Sequence, residues 1–356
     1  YYPWFECEFM IKHNKMSWLF FFYFVNGLLF SESRFLKKDK YLNGPQKEWS
    51  QRQFAKYYRY INKHYRKTAD SDEQILRRQD AIISGNKITT QIWNYGSISE
   101  PGNRVTDIIW EGLGYGYEFG PFISAEVPLV SNKHPDAYPK VIDGDTTWYA
   151  RVISDGLVTD PERSPDGSEY WTWEPLAYSD EGLFFADPDY DKIPTASDID
   201  RDFDGKPDSW ASDWYNPNLK EYVWPGDLRQ GASNADEEAF FVCDDRNNKE
   251  FEYYPFPDDS SRKGLGIQIE YRYYQWANPL AEDIIFLIYK ITNKSPKDLE
   301  NVIFGMWGDP HIGGPSDWSD DLSYFDQEIN MVYCWDEDGS ASGSANRPGY
   351  FGYKFL

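Results

Sequence analysis

From residue 86 onward, apolar and polar positions largely alternate with a period of two, the pattern of strands that bury one face. The clearest run is 266–276 (GIQIEYRYYQW), and 87–95 (KITTQIWNY), 120–130, 148–153, 302–307, 331–335 and 350–355 read the same way. Residues 283–292 (DIIFLIYKIT) are more continuously apolar, which predicts a strand covered on both faces. Asn278-Pro279, Asn293-Lys294-Ser295-Pro296, Asp338-Gly339 and Arg347-Pro348-Gly349 supply turns between the runs. Many strands without a long helical period after residue 80 predict a mainly β chain, an antiparallel β-sandwich.

Upstream the period changes. Trp49, Gln53, Lys56, Tyr57, Tyr60 and Ile61 recur at spacings of three and four, with Arg52, Arg59, Lys63 and Arg66 between them. This predicts a basic helical arm, which either packs its aromatic stripe on the acidic domain or lies on a membrane or acidic partner. A second short helical stretch is predicted at 72–79. Earlier still, Lys12, His13 and Lys15 precede an apolar run from Trp18 to Phe30, with small residues at Ser31 and Ser33. That order is the secretory leader pattern. The run is short for a membrane span, which needs about 20 residues; a cleaved leader is favoured over an uncleaved anchor. The predicted organisation is therefore 1–33 upstream residues plus leader, 34–85 basic helical arm, and 86–356 acidic β domain. The last strand is aromatic and has no tail, which predicts that the natural protein continues past Leu356.

Residues 177–239 break the strand pattern. They are rich in Asp, Pro, Gly and Trp and show little periodicity. A loop this long inside a domain is functional or is held by something other than a core.

Charge sharpens these divisions. The 356 residues carry 36 Lys+Arg against 59 Asp+Glu, a formal net charge of −23. Residues 1–80 hold 15 basic and 9 acidic residues, so the remainder is strongly acidic. A chain of this balance lacks the basic face that phosphate contacts need, so nucleic acid is excluded as a partner. Aromatics make up 19% of the residues, which separates this chain from disordered acidic tails.

The strongest chemical signal is Asp200-Arg-Asp202-Phe-Asp204-Gly205-Lys206-Pro207-Asp208. Aspartates at relative positions 1, 3, 5 and 9 with glycine at 6 match a calcium loop, in which alternate carboxylates turn inward and Gly205 permits the sharp turn. The Lys206 carbonyl is a further candidate ligand. Position 12 is Ala211 rather than an acid; Asp213 is a candidate substitute, and Asp198 is a candidate contributor from upstream. The proline after position 7 resembles the short calcium loops of thrombospondin type 3 repeats. A second acidic cluster, Asp309, Asp317, Asp320 and Asp321, surrounds His311 and extends to Asp326; it matches no metal spacing. A second calcium site, a His–carboxylate catalytic pair and a solvated acidic loop are the readings open for it.

Other catalytic templates are absent: no GxSxG, no HExxH and no P-loop. Gly112-Leu-Gly114-Tyr-Gly116 lacks a following helix and reads as a strand-edge loop. Among 15 tryptophans, Trp210, Trp214 and Trp224 cluster in the 177–239 insertion, as a ligand-stacking surface or as loop packing. Cys243 and Cys334 would both enter an oxidising compartment, where a disulfide is permitted; two buried free thiols are the alternative.

Four stretches carry a family resemblance: NYGSISEPGNRVTDIIWEGLGYGYEFG, DIDRDFDGKPDSWASDWYNPNLKEYVWPGDLRQGASNADEEAFF, NPLAEDIIFLIYKITNKS and FGMWGDPHIGGPSDWSDD. They resemble a family of large secreted proteins from marine Bacteroidota-like bacteria, many with a type IX secretion sorting domain. The resemblance spans about residues 80–356 and implies export and architecture, not an activity. The expectation is thus an extracellular or cell-surface structural or binding module stabilised by Ca²⁺, without catalysis. Its expected partners are an extracellular glycan or other surface proteins, with no stable membrane insertion once the leader is removed. The alternative is a carbohydrate-active or polysaccharide-binding β-sandwich.

Overall fold

The computed structural model describes residues 21–22, 78–99, 107–156, 164–167, 169–175, 193–314, 317, 319–341 and 347–356. The basic arm over 47–67 and most of the 72–79 stretch lie outside these residues, and so does the leader except Phe21–Phe22. That pair forms a short strand parallel to Gly305 and Met306. Among the described residues no helix is long and apolar enough to cross a membrane.

The chain is mainly β, and its sheets are otherwise antiparallel. The first sheet runs Asp80–Ile83, Ile88–Trp93, Ile109–Trp110, Leu113–Gly114. The second orders Glu300–Pro310, Gly116–Leu129, Asp145–Asp155 and Tyr138–Ile142. The third orders Ile285–Asn293, Ile267–Gln275, Glu237–Asp244 and Glu174–Pro175. The fourth is the three-stranded sheet of Asp321–Asp326, Met331–Asp336 and Phe351–Lys354. These sheets are arranged as a four-bladed, propeller-like ring, which corrects the two-layer sandwich expected from the sequence. Alternation fixes which side of a strand is buried, but not which distant strand it pairs with.

The third sheet explains much of the aromatic content. Phe241, Tyr271 and Tyr289 stand directly opposite one another on three adjacent strands. Phe241 stacks on Tyr271 at 4.3 Å, Tyr289 meets Tyr271 edge-on at 5.1 Å, and Phe304 of the second sheet follows at 5.5 Å. Such offset and edge contacts add to the large area each ring buries. Ile285–Asn293 lies at the edge of this sheet and is mostly half-buried, not covered on both faces as its apolar run predicts.

The opposite face of the third sheet is covered by the Asp- and Trp-rich segment. Residues 193–236 run back over Phe240, and Thr195 bridges Ala239. Ala196 N–H donates to the Glu238 carbonyl at 2.8 Å and Phe240 N–H to the Pro194 carbonyl at 3.2 Å. Trp210, Trp214 and Trp224 pack on one another at 5.4–6.1 Å, and Trp214 lies 6.1 Å from Phe240. The aperiodic segment is therefore a covering layer, with its own short 3₁₀ turn Ser212–Trp214 and a small hairpin, Tyr215–Asn216 with Glu221–Tyr222.

Candidate functional site

The 200–208 loop sits at the exposed rim of this layer. Asp200 Oδ1 accepts the Phe203 and Asp204 amides at 2.7 and 3.2 Å, and its Oδ2 accepts the Gly205 amide at 2.9 Å. Gly205 has φ +93°, as the sharp turn of the motif requires. Burial pushes the Asp200 carboxyl up, but these three amides prevail and hold it below its ordinary range. Oxygens of Asp200, Asp202 and Asp208 lie within 4.8 Å of one another, an arrangement that can hold a metal ion.

The other motif residues are placed differently. Asp204 Oδ1 accepts the Lys206 amide at 2.8 Å and is not part of the triad. The Lys206 ammonium is buried and donates to the Trp210 carbonyl at 2.9 Å, tying the loop to the tryptophan layer. Asp213 falls in the 3₁₀ turn, and its side chain lies outside the description. Arg201 is already inside the cluster. Its guanidinium pairs with Asp198 at 2.6 Å and Asp208 at 2.9 Å, and its amide donates to Asp208 Oδ1 at 2.9 Å. One charge of the loop is therefore offset internally, while Asp202 remains exposed.

The second acidic cluster divides. Asp309 stands apart from the triad, and burial raises its pKa against the nearby His311. His311 Nε2 meets Asp107 Oδ2 at 2.6 Å, and Asp107 Oδ1 accepts the Gly116 amide at 3.0 Å, so the histidine fastens a loop to the strand Gly116–Leu129. Asp317 and Asp320 instead converge with Asp336, the last residue of the strand Met331–Asp336. Asp321 lies directly opposite Asp336. Burial pushes the Asp321 carboxyl up to about 7, and Asp336 is raised by the same cause. The sequence offered one unused hint of this: Asp336-x-Asp338-Gly339 repeats the acid–turn grammar of the first loop.

Two readings left open by the sequence are narrowed. Trp210 and Trp224 are 9% and 1% exposed and Trp214 is half-buried, so their faces are spent on each other and on Phe240 and not on a ligand. Cys243 and Cys334 are both buried free thiols. Cys243 belongs to the main core beside Tyr271 Oη at 3.6 Å, while Cys334 belongs to a separate small core with Leu113, Tyr115, Ile312 and Ala341.

The fourth sheet displays an exposed row of aromatic rings. Leu322, Tyr324, Tyr333 and Trp335 face outward on the fourth sheet, with Tyr350 beside them. Neighbouring ring centroids lie 5.7–6.2 Å apart, and Tyr324 and Tyr350 are 55% and 73% exposed.

Comparison of the chain with protein-family models, with curated proteins and with solved structures finds no match.

Proposed function

We propose that this chain is an exported structural or binding module whose 200–208 loop is closed by calcium, and that it performs no catalysis. The observation that carries the reading is the convergence of Asp200, Asp202 and Asp208 around a turn made by Gly205. Calcium takes six to eight oxygens in flexible geometry, which suits carboxylates from a short loop completed by water and carbonyls. Its role is passive. The ion offsets the charge left over by Arg201, fixes the loop, and through Lys206 and Trp210 keeps the covering layer on the Phe240 face. Asp202→Asn removes one charge from the exposed side of the cluster. It is expected to weaken calcium binding at least tenfold and to open the chain after Arg201 to trypsin. Identical calcium affinity and identical cleavage in the variant would sink this reading.

Polysaccharide binding is the second reading, and the exposed ring row favours it. Rings displayed on an open sheet face, polar at one end and apolar on the flat, suit stacking against sugar rings. Trp335→Ala with Tyr350→Ala is expected to abolish retention on neutral insoluble polysaccharides without shifting the melting temperature. Retention that is absent in the wild type, or unaffected by the double variant, would leave the scaffold reading alone.

A further inference from the structure

Asp321 and Asp336 stand opposite each other across the antiparallel pair Asp321–Asp326 and Met331–Asp336. Like charges in that position destabilise a sheet. This pair lies on the inward side of the strands, where Val332, Cys334 and Asp336 are buried and Asp336 is only 6% exposed. Asp336 Oδ1 accepts the amides of Gly339 and, at 3.0 Å, Ser340; its Oδ2 is buried with no hydrogen-bond partner. Asp321 repeats the arrangement: Oδ2 accepts the Ile312 amide at 2.8 Å, and Oδ1 is buried without a partner. Among the described residues no lysine or arginine pairs with Asp320, Asp321 or Asp336. Buried carboxylate oxygens without a donor or cation are costly, so two of them side by side point to a missing positive charge.

The preceding loop supplies two more acids at the same place. Asp317 and Asp320 bring oxygens within 4.8 Å of each other and of Asp336. The backbone is shaped for this approach. Gly313 and Gly314 have φ +100° and +114°, and turns close from Gly314 N–H to the His311 carbonyl at 3.1 Å and from Asp317 N–H to the Gly314 carbonyl at 3.0 Å. A Cβ on Gly313 would lie 2.8 Å from Asp317 Oδ2, so a side chain there would push the carboxylate away.

We propose that Asp317, Asp320 and Asp336 form a second divalent-cation site, taking calcium, with Asp321 as the adjoining carboxylate whose charge the ion also offsets. The donor set is all oxygen, which selects a hard cation, and it is drawn from a loop and a strand, which suits calcium better than the tight octahedron of magnesium. The ion clamps the 311–321 loop to the fourth sheet, on the face opposite Tyr333 and Trp335. This site does not rest on the 200–208 reading, because it uses different residues and a different sheet.

The test is calcium titration of the chelator-stripped full chain by calorimetry, with hydrogen exchange followed by peptide. Wild type and Asp202→Asn are both expected to gain protection over 311–321 and 336–341 when calcium is added. Asp317→Asn with Asp320→Asn, two half-buried positions that leave the core intact, is expected to lose that protection and one bound ion per chain. Asp336→Asn should do the same, and its circular dichroism checks that it folds. Unchanged stoichiometry and protection in the Asp317/Asp320 double variant, or no calcium-dependent protection there in the wild type, would overturn the proposal. Equal protection by magnesium would overturn the choice of calcium. If the 200–208 reading alone fails, Asp202→Asn titrates like wild type while the Asp317/Asp320 variant binds nothing.

Discussion

Glu237 begins the central strand Glu237–Asp244 and carries a carboxyl that the fold partly buries. Burial pushes it up to about 7, the Ser197 hydroxyl at 2.6 Å opposes this, and Asp198 adds to it. A carboxyl raised by folding binds its proton more tightly in the folded state. Its contribution to stability is complete below the unfolded value of 4.5 and is lost as pH rises through about 7. Each unit is worth about 1.4 kcal/mol, so the full shift would amount to about 3.5 kcal/mol across that window, and solvent screening at this half-buried position reduces it. Glu237→Gln keeps an acceptor for Ser197 and cannot ionise. Urea denaturation in chelator from pH 4 to 8 is expected to show a flatter profile for the variant, and parallel profiles would exclude Glu237 as the source. At this scale the sequence was partly legible. Gly205 was readable as a residue needed for a sharp turn, and Asp200, Asp202 and Asp208 as neighbours, because loop spacing alone brings them together. Asp336 was not readable as a partner of Asp317 and Asp320, because a β pairing across the Asp326–Met331 turn creates that proximity.

At the scale of elements, the third sheet is held between the ring ladder on one side and the tryptophan layer on the other. Arg272 is the fastening on the second side. It pairs with Glu238 at 2.7 Å, donates to the Pro225 carbonyl at 2.6 Å, and lies 4.0 Å over the Phe240 ring. Arg272 and Glu238 are 9% and 1% exposed. Removing one member of such a pair strands a buried charge and costs about 3–5 kcal/mol, whereas replacing both by apolar groups is far milder. Arg272→Met is therefore expected to destabilise strongly and to expose 225–232 to protease, while Arg272→Met with Glu238→Leu recovers most of the loss. A double variant as unstable as the single one in urea would show that the stranded charge is not the cause. Trp224→Ala is expected to cost a further about 3–5 kcal/mol by opening a cavity in the layer. Strands such as Ile267–Gln275 were visible in the sequence because apolar or aromatic residues still alternate with polar ones along most of the run, although both faces are covered. Asp321–Asp326 (DLSYFD) was hidden, since Asp321 and Ser323 take inward positions while Leu322 and Tyr324 face outward, which inverts the usual code. The tryptophan layer was read as a loop because irregular backbone can cover a sheet without any period at all.

For the molecule as a whole, a net charge of −23 complicates any statement about calcium. A strongly acidic surface repels itself, so every cation stabilises the compact state to some degree. That general effect is screened over about 8 Å at physiological ionic strength and over about 3 Å at 1 M salt. Site binding behaves differently. An ion held only by the folded state adds RT ln(1 + [L]/Kd), which is about 2.7 kcal/mol at a hundredfold excess over Kd, and carboxylates at van der Waals range are little affected by distant screening. Extracellular calcium modules bind at about 10⁻⁴–10⁻³ M, so tens of millimolar calcium approaches that excess. Melting curves should therefore be recorded in chelator and in calcium, at low salt and in 1 M sodium chloride. Sodium chloride alone is expected to raise the melting temperature of the chelated protein. Calcium is expected to add several degrees more, since each kcal/mol moves a large domain by about 2–4 °C, and that increment is expected to persist in 1 M salt. Asp202→Asn and the Asp317/Asp320 double variant should each remove part of the persistent increment and leave the sodium response unchanged. If calcium adds nothing once the salt is high, the acidic clusters bind no ion and calcium acts only as a counterion to the charged surface.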